Sequence, residues 1–170
     1  MTNCFNGIIR YLTQMCHGNV DEKNVVKVTS STVSNDRYSK YVVDLDVDKH
    51  YFTYDSQQNS WIKFDFKDKK VRPTHYTLRT KSDSGKGGNH FKNLVVEGSN
   101  TDWGDEWKIL DLRSDVTFLD SANAKYVFDI QKELGKDDYY RYLRIRQTGK
   151  NSYGSYFLNL SALEYFGYLK

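Results

Sequence analysis

WIKFDFKDKKVRPTHYTLRT, residues 61–80, holds two short apolar and aromatic runs on either side of a charged connection. In WIKFDF (61–66), Ile62, Phe64 and Phe66 alternate with Trp61, Lys63 and Asp65. Period-two alternation is the mark of a strand buried on one side, so the Ile and Phe set faces a core. THYTLRT (74–80) reads as a second strand. Outward along the chain lie VVKVTSST (25–32), FKNLVVEGS (91–99), KYVFDI (125–130), YRYLRIRQ (140–147) and LNLSALEYFGYL (158–169). In YRYLRIRQ, Leu143 and Ile145 point inward while Arg144 and Arg146 point out. Short β-branched and aromatic runs, separated by polar loops with Gly or Asn, describe an all-β sandwich or barrel. Only CFNGIIRYLTQM (4–15) has helical spacing, with Ile8, Ile9, Leu12 and Met15 on one face and Gly18 beyond it as a stop.

The chain of 170 residues is one domain of ordinary size, with 28% charged residues, 15% aromatic residues and a single Pro. No apolar run is long enough to span a membrane, and no basic-then-apolar leader suggests secretion. The net charge of +3 is mild and its lysines and arginines are mixed with acids, which argues against a nucleic-acid surface. Cys4 and Cys16 flank the helical segment in poor disulfide geometry, so reduced thiols of a cytoplasmic protein are the simplest reading.

Two segments exceed what hairpins need, residues 33–60 and KSDSGKGGNH (81–90). The first carries Asp44, Asp46 and Asp48 at alternate positions, which suits a hard cation such as calcium or a solvated acidic turn. The second fits neither the P-loop nor the dinucleotide glycine pattern and reads as a flexible connection between strands. His17, His50, His75 and His90 form no metal-ligand pattern, and no nucleophile elbow occurs, so no enzyme is expected. RQTGKNSYG (146–154) offers Gln147, Lys150, Asn151 and Tyr153. With Arg79, Arg144, Arg146, Tyr38 and Tyr156 these suit a polar ligand, or else a strand surface where long side chains lie over apolar neighbours.

In linear order the chain resembles a discoidin domain, the coagulation factor V/VIII type C family, over about residues 20–168. The likeness rests on Asp44 and Asp46 before Phe52, the strand Trp61 to Phe66, the Pro-x-x-Tyr-x-Leu-Arg strand from Pro73 to Arg79, and LVVEGSNTDWGDEWKIL (94–110). It also rests on YRYLRIRQTGKNSYG and LNLSALEYFG as the closing strands. The leading helix and RQTGKN are similar to the intracellular branch of the family, abundant in protists. The resemblance implies a galactose-binding-like antiparallel jelly-roll sandwich of about eight strands with a short N-terminal helix. The whole of 1–170 would be one domain, with the helix at about 4–17.

The resemblance further implies a structural calcium ion, with Asp44 and Asp46 in the cation loop and Glu164 as the C-terminal acid near it; no other cofactor is expected. It implies that Arg79 faces the ligand pole, which the segment around Tyr38 and the loops at 81–90 and 148–154 would crown. The expected ligand contacts are therefore Tyr38, Arg79, His90, Arg146, Lys150, Asn151 and Tyr153. Three features depart from the family: the end-to-end disulfide is absent, Leu45 replaces the usual loop glycine, and the loops carry Ser, Asn, Lys and Tyr instead of apolar spikes. No membrane insertion is expected. The reading is a non-catalytic recognition module of a larger intracellular protein that binds a protein partner or a glycan. The alternative is a galactose-type lectin module.

Overall fold

The computed structural model describes residues 3–170. One helix, α1 (Ile8–Cys16), precedes ten strands: β1 (Lys27–Ser30), β2 (Tyr51–Phe52), β3 (Trp61–Asp65), β4 (Val71–Arg79) and β5 (Leu94–Ser99), then β6 (Lys108–Arg113), β7 (Lys125–Asp129), β8 (Tyr142–Gln147), β9 (Asn159–Leu160) and β10 (Ala162–Leu169). All pairings between these strands are antiparallel. Five strands form one sheet in the order β1-β3-β8-β5-β6, three form the other in the order β10-β4-β7, and β2 pairs with β9. The all-β sandwich expected from the alternation is the fold observed.

Register explains the core. Ile62 lies opposite Ile145 and Phe64 opposite Leu143, so two alternating strands present one continuous apolar face. Against it the three-stranded sheet sets Tyr76, Leu78, Leu163 and Tyr165, all buried. Phe64 and Tyr165 meet edge to face with ring centres 5.5 Å apart across the sandwich.

β6 is absent from the strand runs read in the sequence, and its register shows why. The pairing with β5 shifts between Val96 and Glu97, so Val96 faces Asp111 and Glu97 faces Ile109 while Leu110 is passed over. The bulge turns both Leu110 and Asp111 inward and erases the alternation. Helix α1 is shorter than expected and buries Ile8, Ile9 and Leu12, while Met15 on the same stripe is 64% exposed. His17, not Gly18, takes the left-handed conformation that closes it. Cys4 and Cys16 are free thiols.

Candidate functional site

The connections β1–β3, β4–β5, β6–β7 and β8–β9 all emerge at one end of the sandwich, because antiparallel pairing returns each pair of strand ends to the same pole. The loops 81–90 and 148–154 are fastened together there. His90 accepts at its backbone oxygen from the Ser152 amide at 3.0 Å, and its own amide donates to Ser152 Oγ at 2.9 Å. Asn151 is the centre of the latch. Its side-chain nitrogen reaches Asn89 Oδ1 at 2.9 Å, Ser155 Oγ at 3.0 Å and the Phe157 carbonyl at 2.8 Å. Its Oδ1 accepts from the amides of Tyr153 and Ser155.

The glycine-rich segment is not the loose connection that its composition suggests. His90 Nε2 lies 3.1 and 2.8 Å from the carbonyls of Ser84 and Gly85, so it carries the hydrogen and folds the loop over its own ring. Gly87, at φ +75°, donates its amide to Asp120 Oδ1 at 2.7 Å and ties the segment to the β6–β7 loop. Between these loops opens a cavity of about 430 Å³ with Lys86, Lys92, Thr117, Asp120 and Ser152 around Val116. Lys92 is 3.4 Å from exposed Asp115. Ser152 accepts from His90 and keeps its own hydroxyl hydrogen to give. Ammonium, hydroxyl and carboxylate groups around a small apolar floor suit a ligand rich in hydroxyls.

The residues expected as contacts are scattered relative to this cavity. Lys150 and Tyr153 are exposed, Tyr153 at 72%. His90 at 0% and Asn151 at 3% are not surface contacts: His90 Nε2 and the Asn151 amide are turned inward to fix the loops, while His90 Nδ1 is buried without a partner. Arg146 lies on the outer face of the five-stranded sheet, its guanidinium held by Glu97 Oε1 at 2.7 Å and Asn59 Oδ1 at 2.8 Å. Tyr38 lines a separate cavity of about 270 Å³ with Asp21, Val28 and Lys40.

Arg79 borders a third cavity of about 260 Å³ beside Asp48 and Ser82. Its donors are engaged by the protein, Nη1 to the Leu45 carbonyl at 2.9 Å, Nη2 to the Val47 carbonyl at 3.3 Å and Nε to Ser161 Oγ at 3.0 Å. Burial pulls its pKa below the ordinary arginine value. It thus brackets the loop, with three of its five N–H donors engaged by the protein.

Asp44, Asp46 and Glu164 are not brought together. Glu164 is 0% exposed and accepts from the amides of Gly7, Ile9, Arg10 and Tyr165. Burial pushes its carboxyl up, and these amides pull it partway back. Asp46 is gripped by both Arg10 terminal nitrogens at 2.5 and 2.8 Å, a hydrogen-bonded pair that holds its carboxyl low. Asp44 is raised by burial and by nearby Glu22 and Asp46. Among the described residues no group of three or more His, Cys, Asp or Glu is placed to hold a metal ion.

Lys86, Lys92, Val116, Thr117, Asp120 and Ser152 escaped the sequence reading. Lys86 and Ser152 sat inside loops already marked as long or polar, whereas 114–120 carried no pattern that set it apart.

Compared with solved structures, the sandwich has the galactose-binding-like, discoidin-like fold of family 32 carbohydrate-binding modules. It superposes on CBM32-3 from a family 31 glycoside hydrolase of Clostridium perfringens with a TM-score of 0.65 at 13% identity, covering 85% of this chain and 92% of that one. CBM32-5 of the C. perfringens family 89 enzyme, solved with GalNAc-β-1,3-galactose, gives 0.63 at 12% identity over 85% and 96%. The family 32 module of C. perfringens NanJ, solved with galactose, gives 0.61 at 6% identity over 86% and 95%. No protein-family model matches the sequence. A curated relative, the E3 ubiquitin-protein ligase Ufd4 of Drosophila melanogaster, is 28% identical over 152 residues, 88% of this chain. The chain spans 5% of that relative's length. No helix among the described residues is long and apolar enough to cross a membrane.

Proposed function

We propose that this domain is a non-catalytic carbohydrate-binding module that takes a glycan at the loop pole. The observation that carries the reading is the cavity of about 430 Å³ where three loops meet, with donors and an acceptor facing an apolar floor. Lys86, Lys92, Thr117 and Asp120 supply the polar contacts, and Lys150 and Tyr153 extend the rim. The bound sugars of the solved neighbours support a hydroxyl-rich ligand.

Titration with galactose, N-acetylgalactosamine and a uronic acid, followed by amide NMR shifts, tests it. We expect saturation near a Kd of about 1 mM, some −4 kcal/mol, with shifts at residues 84–92, 115–120 and 150–153. Lys86→Ala and Thr117→Ala should weaken it at unchanged melting temperature. No shift at tens of millimolar, roughly ten times that Kd, would sink the reading.

A second reading is favoured by the likeness to a segment of a far longer ubiquitin ligase. On it, the same pole serves a cytoplasmic protein as a protein-recognition surface. Silence with every sugar, together with partner capture abolished by Lys86→Ala, would favour that reading.

A further inference from the structure

The family resemblance implies a calcium ion beside Asp44, Asp46 and Glu164, and the residues present do not fit one. Calcium takes about 6–8 oxygens at about 2.3–2.6 Å with free lone pairs. Both oxygens of Glu164 are turned to backbone amides of α1. Both oxygens of Asp46 are turned to Arg10. Asp48 Oδ1 accepts from the Ser82 hydroxyl at 2.6 Å. The loop's outward carbonyls, those of Leu45 and Val47, accept from Arg79.

We infer that two guanidinium groups, those of Arg10 and Arg79, replace a metal ion as the positive charge that folds the 44–48 loop. A guanidinium is a planar fork of five donors that keeps its charge at any working pH. Arg79 directs its fork to two carbonyls of the loop and to Ser161 just before β10, while its Cζ lies 5.3 Å from the Phe5 ring centre. Arg10 holds the loop through Asp46 and belongs to α1. Helix, loop and sheet are thus joined by side chains of the chain itself, and the loop needs no metal.

The test is thermal melting of the whole domain in calcium and in chelator. About 5 mM calcium filling a site of about 50 μM would raise the midpoint by roughly 5–10 °C. We expect wild type to melt at the same temperature in both solutions. We expect Arg79→Ala to melt roughly 5 °C lower or more, with part of the loss restored by methylguanidinium and none by calcium. If Arg79→Ala does not fold, wild-type calorimetric titration with calcium alone still decides the matter. A calcium-dependent rise in wild type that Asp46→Asn removes, or rescue of Arg79→Ala by calcium, would overturn the inference.

Discussion

Removing the Glu164 carboxylate tests how the helix is joined to the sandwich. Gly7 caps α1 without any side-chain hydrogen bond, so the helix has no local partner for its first amides. Glu164 of β10 supplies it from 155 residues away in the case of Ile9. The two shortest helix contacts are Ile9 at 2.7 Å and Arg10 at 2.9 Å. A hydrogen bond to a charged group is worth about 1.5–3 kcal/mol, so the pair amounts to about 4 kcal/mol once competition for the same oxygens is allowed for. In a domain of this size that is a fall in Tm of roughly 8–16 °C for Glu164→Ala. Glu164→Gln keeps one acceptor and should lose about half as much.

The sign of the pH effect is distinctive. Because burial raises the folded-state pKa above the ordinary 4.5, the native protein binds the proton more readily than the unfolded chain. The pH-linked part of its contribution is full below 4.5 and fades as pH rises through the raised value, leaving the amide hydrogen bonds of the ionised carboxylate. Glu164→Gln should remove that slope. Circular dichroism melts across pH give both quantities, and amide exchange at Ile9 and Arg10 should quicken in the Ala variant. If Glu164→Ala melted within about 3 °C of wild type, roughly 1 kcal/mol, or if those amides stayed protected, this account of the helix would be wrong.

Other perturbations probe separate parts of the framework. Glu97 is buried between Arg144 and Arg146, each 2.7 Å away, so Glu97→Gln leaves two cations facing each other and should cost about 2–4 kcal/mol in urea denaturation, partly regained with Arg146→Gln. Gly167 sits at φ +141°, where a Cβ would come 2.2 Å from the Arg72 carbonyl. The β10–β4 register shifts between Phe166 and Gly167, so Gly167→Ala should cost about 3 kcal/mol or more, and an unchanged chemical melt would contradict this close approach of the two strands. Burial pushes His50 below its ordinary 6.5, and Nε2 accepts from Arg37 at 2.6 Å. The unfolded chain then binds the extra proton first, so stability should drop as pH falls below 6.5, and His50→Gln should flatten that drop.

The sequence reading reached the sheets because a strand buried on one side carries its own signature. Ile62, Phe64, Leu143 and Ile145 show it without help from the rest of the chain. It failed where a residue's role depends on a distant partner. β6 lost its alternation to a bulge set by β5. Glu164 is an acid where the resemblance places a cation ligand. Its partners are amides of a helix at the other end of the chain, and amides have no side-chain signature. The same holds for Arg79, whose partners are the carbonyls of Leu45 and Val47. A strand-end arginine reads alike whether it meets a ligand or a loop.

The pole shows a division of labour that composition conceals. Asn89, His90, Asn151 and Ser155 are polar loop residues, yet they bond to one another or to backbone, and His90 and Asn151 are withdrawn from solvent. They fix the walls of the cavity, so a ligand of the proposed kind would not pay the entropy of ordering two loops. Lys86, Lys92 and Thr117 stand outside that latch, facing the space it encloses. Substitution within the latch should therefore disturb folding and binding together, because the walls move. Exchange of the outer residues leaves the walls in place and changes only the charge and hydrogen bonds offered. One sandwich with one latch can in this way serve ligands of quite different chemistry, so the fold by itself never named the ligand.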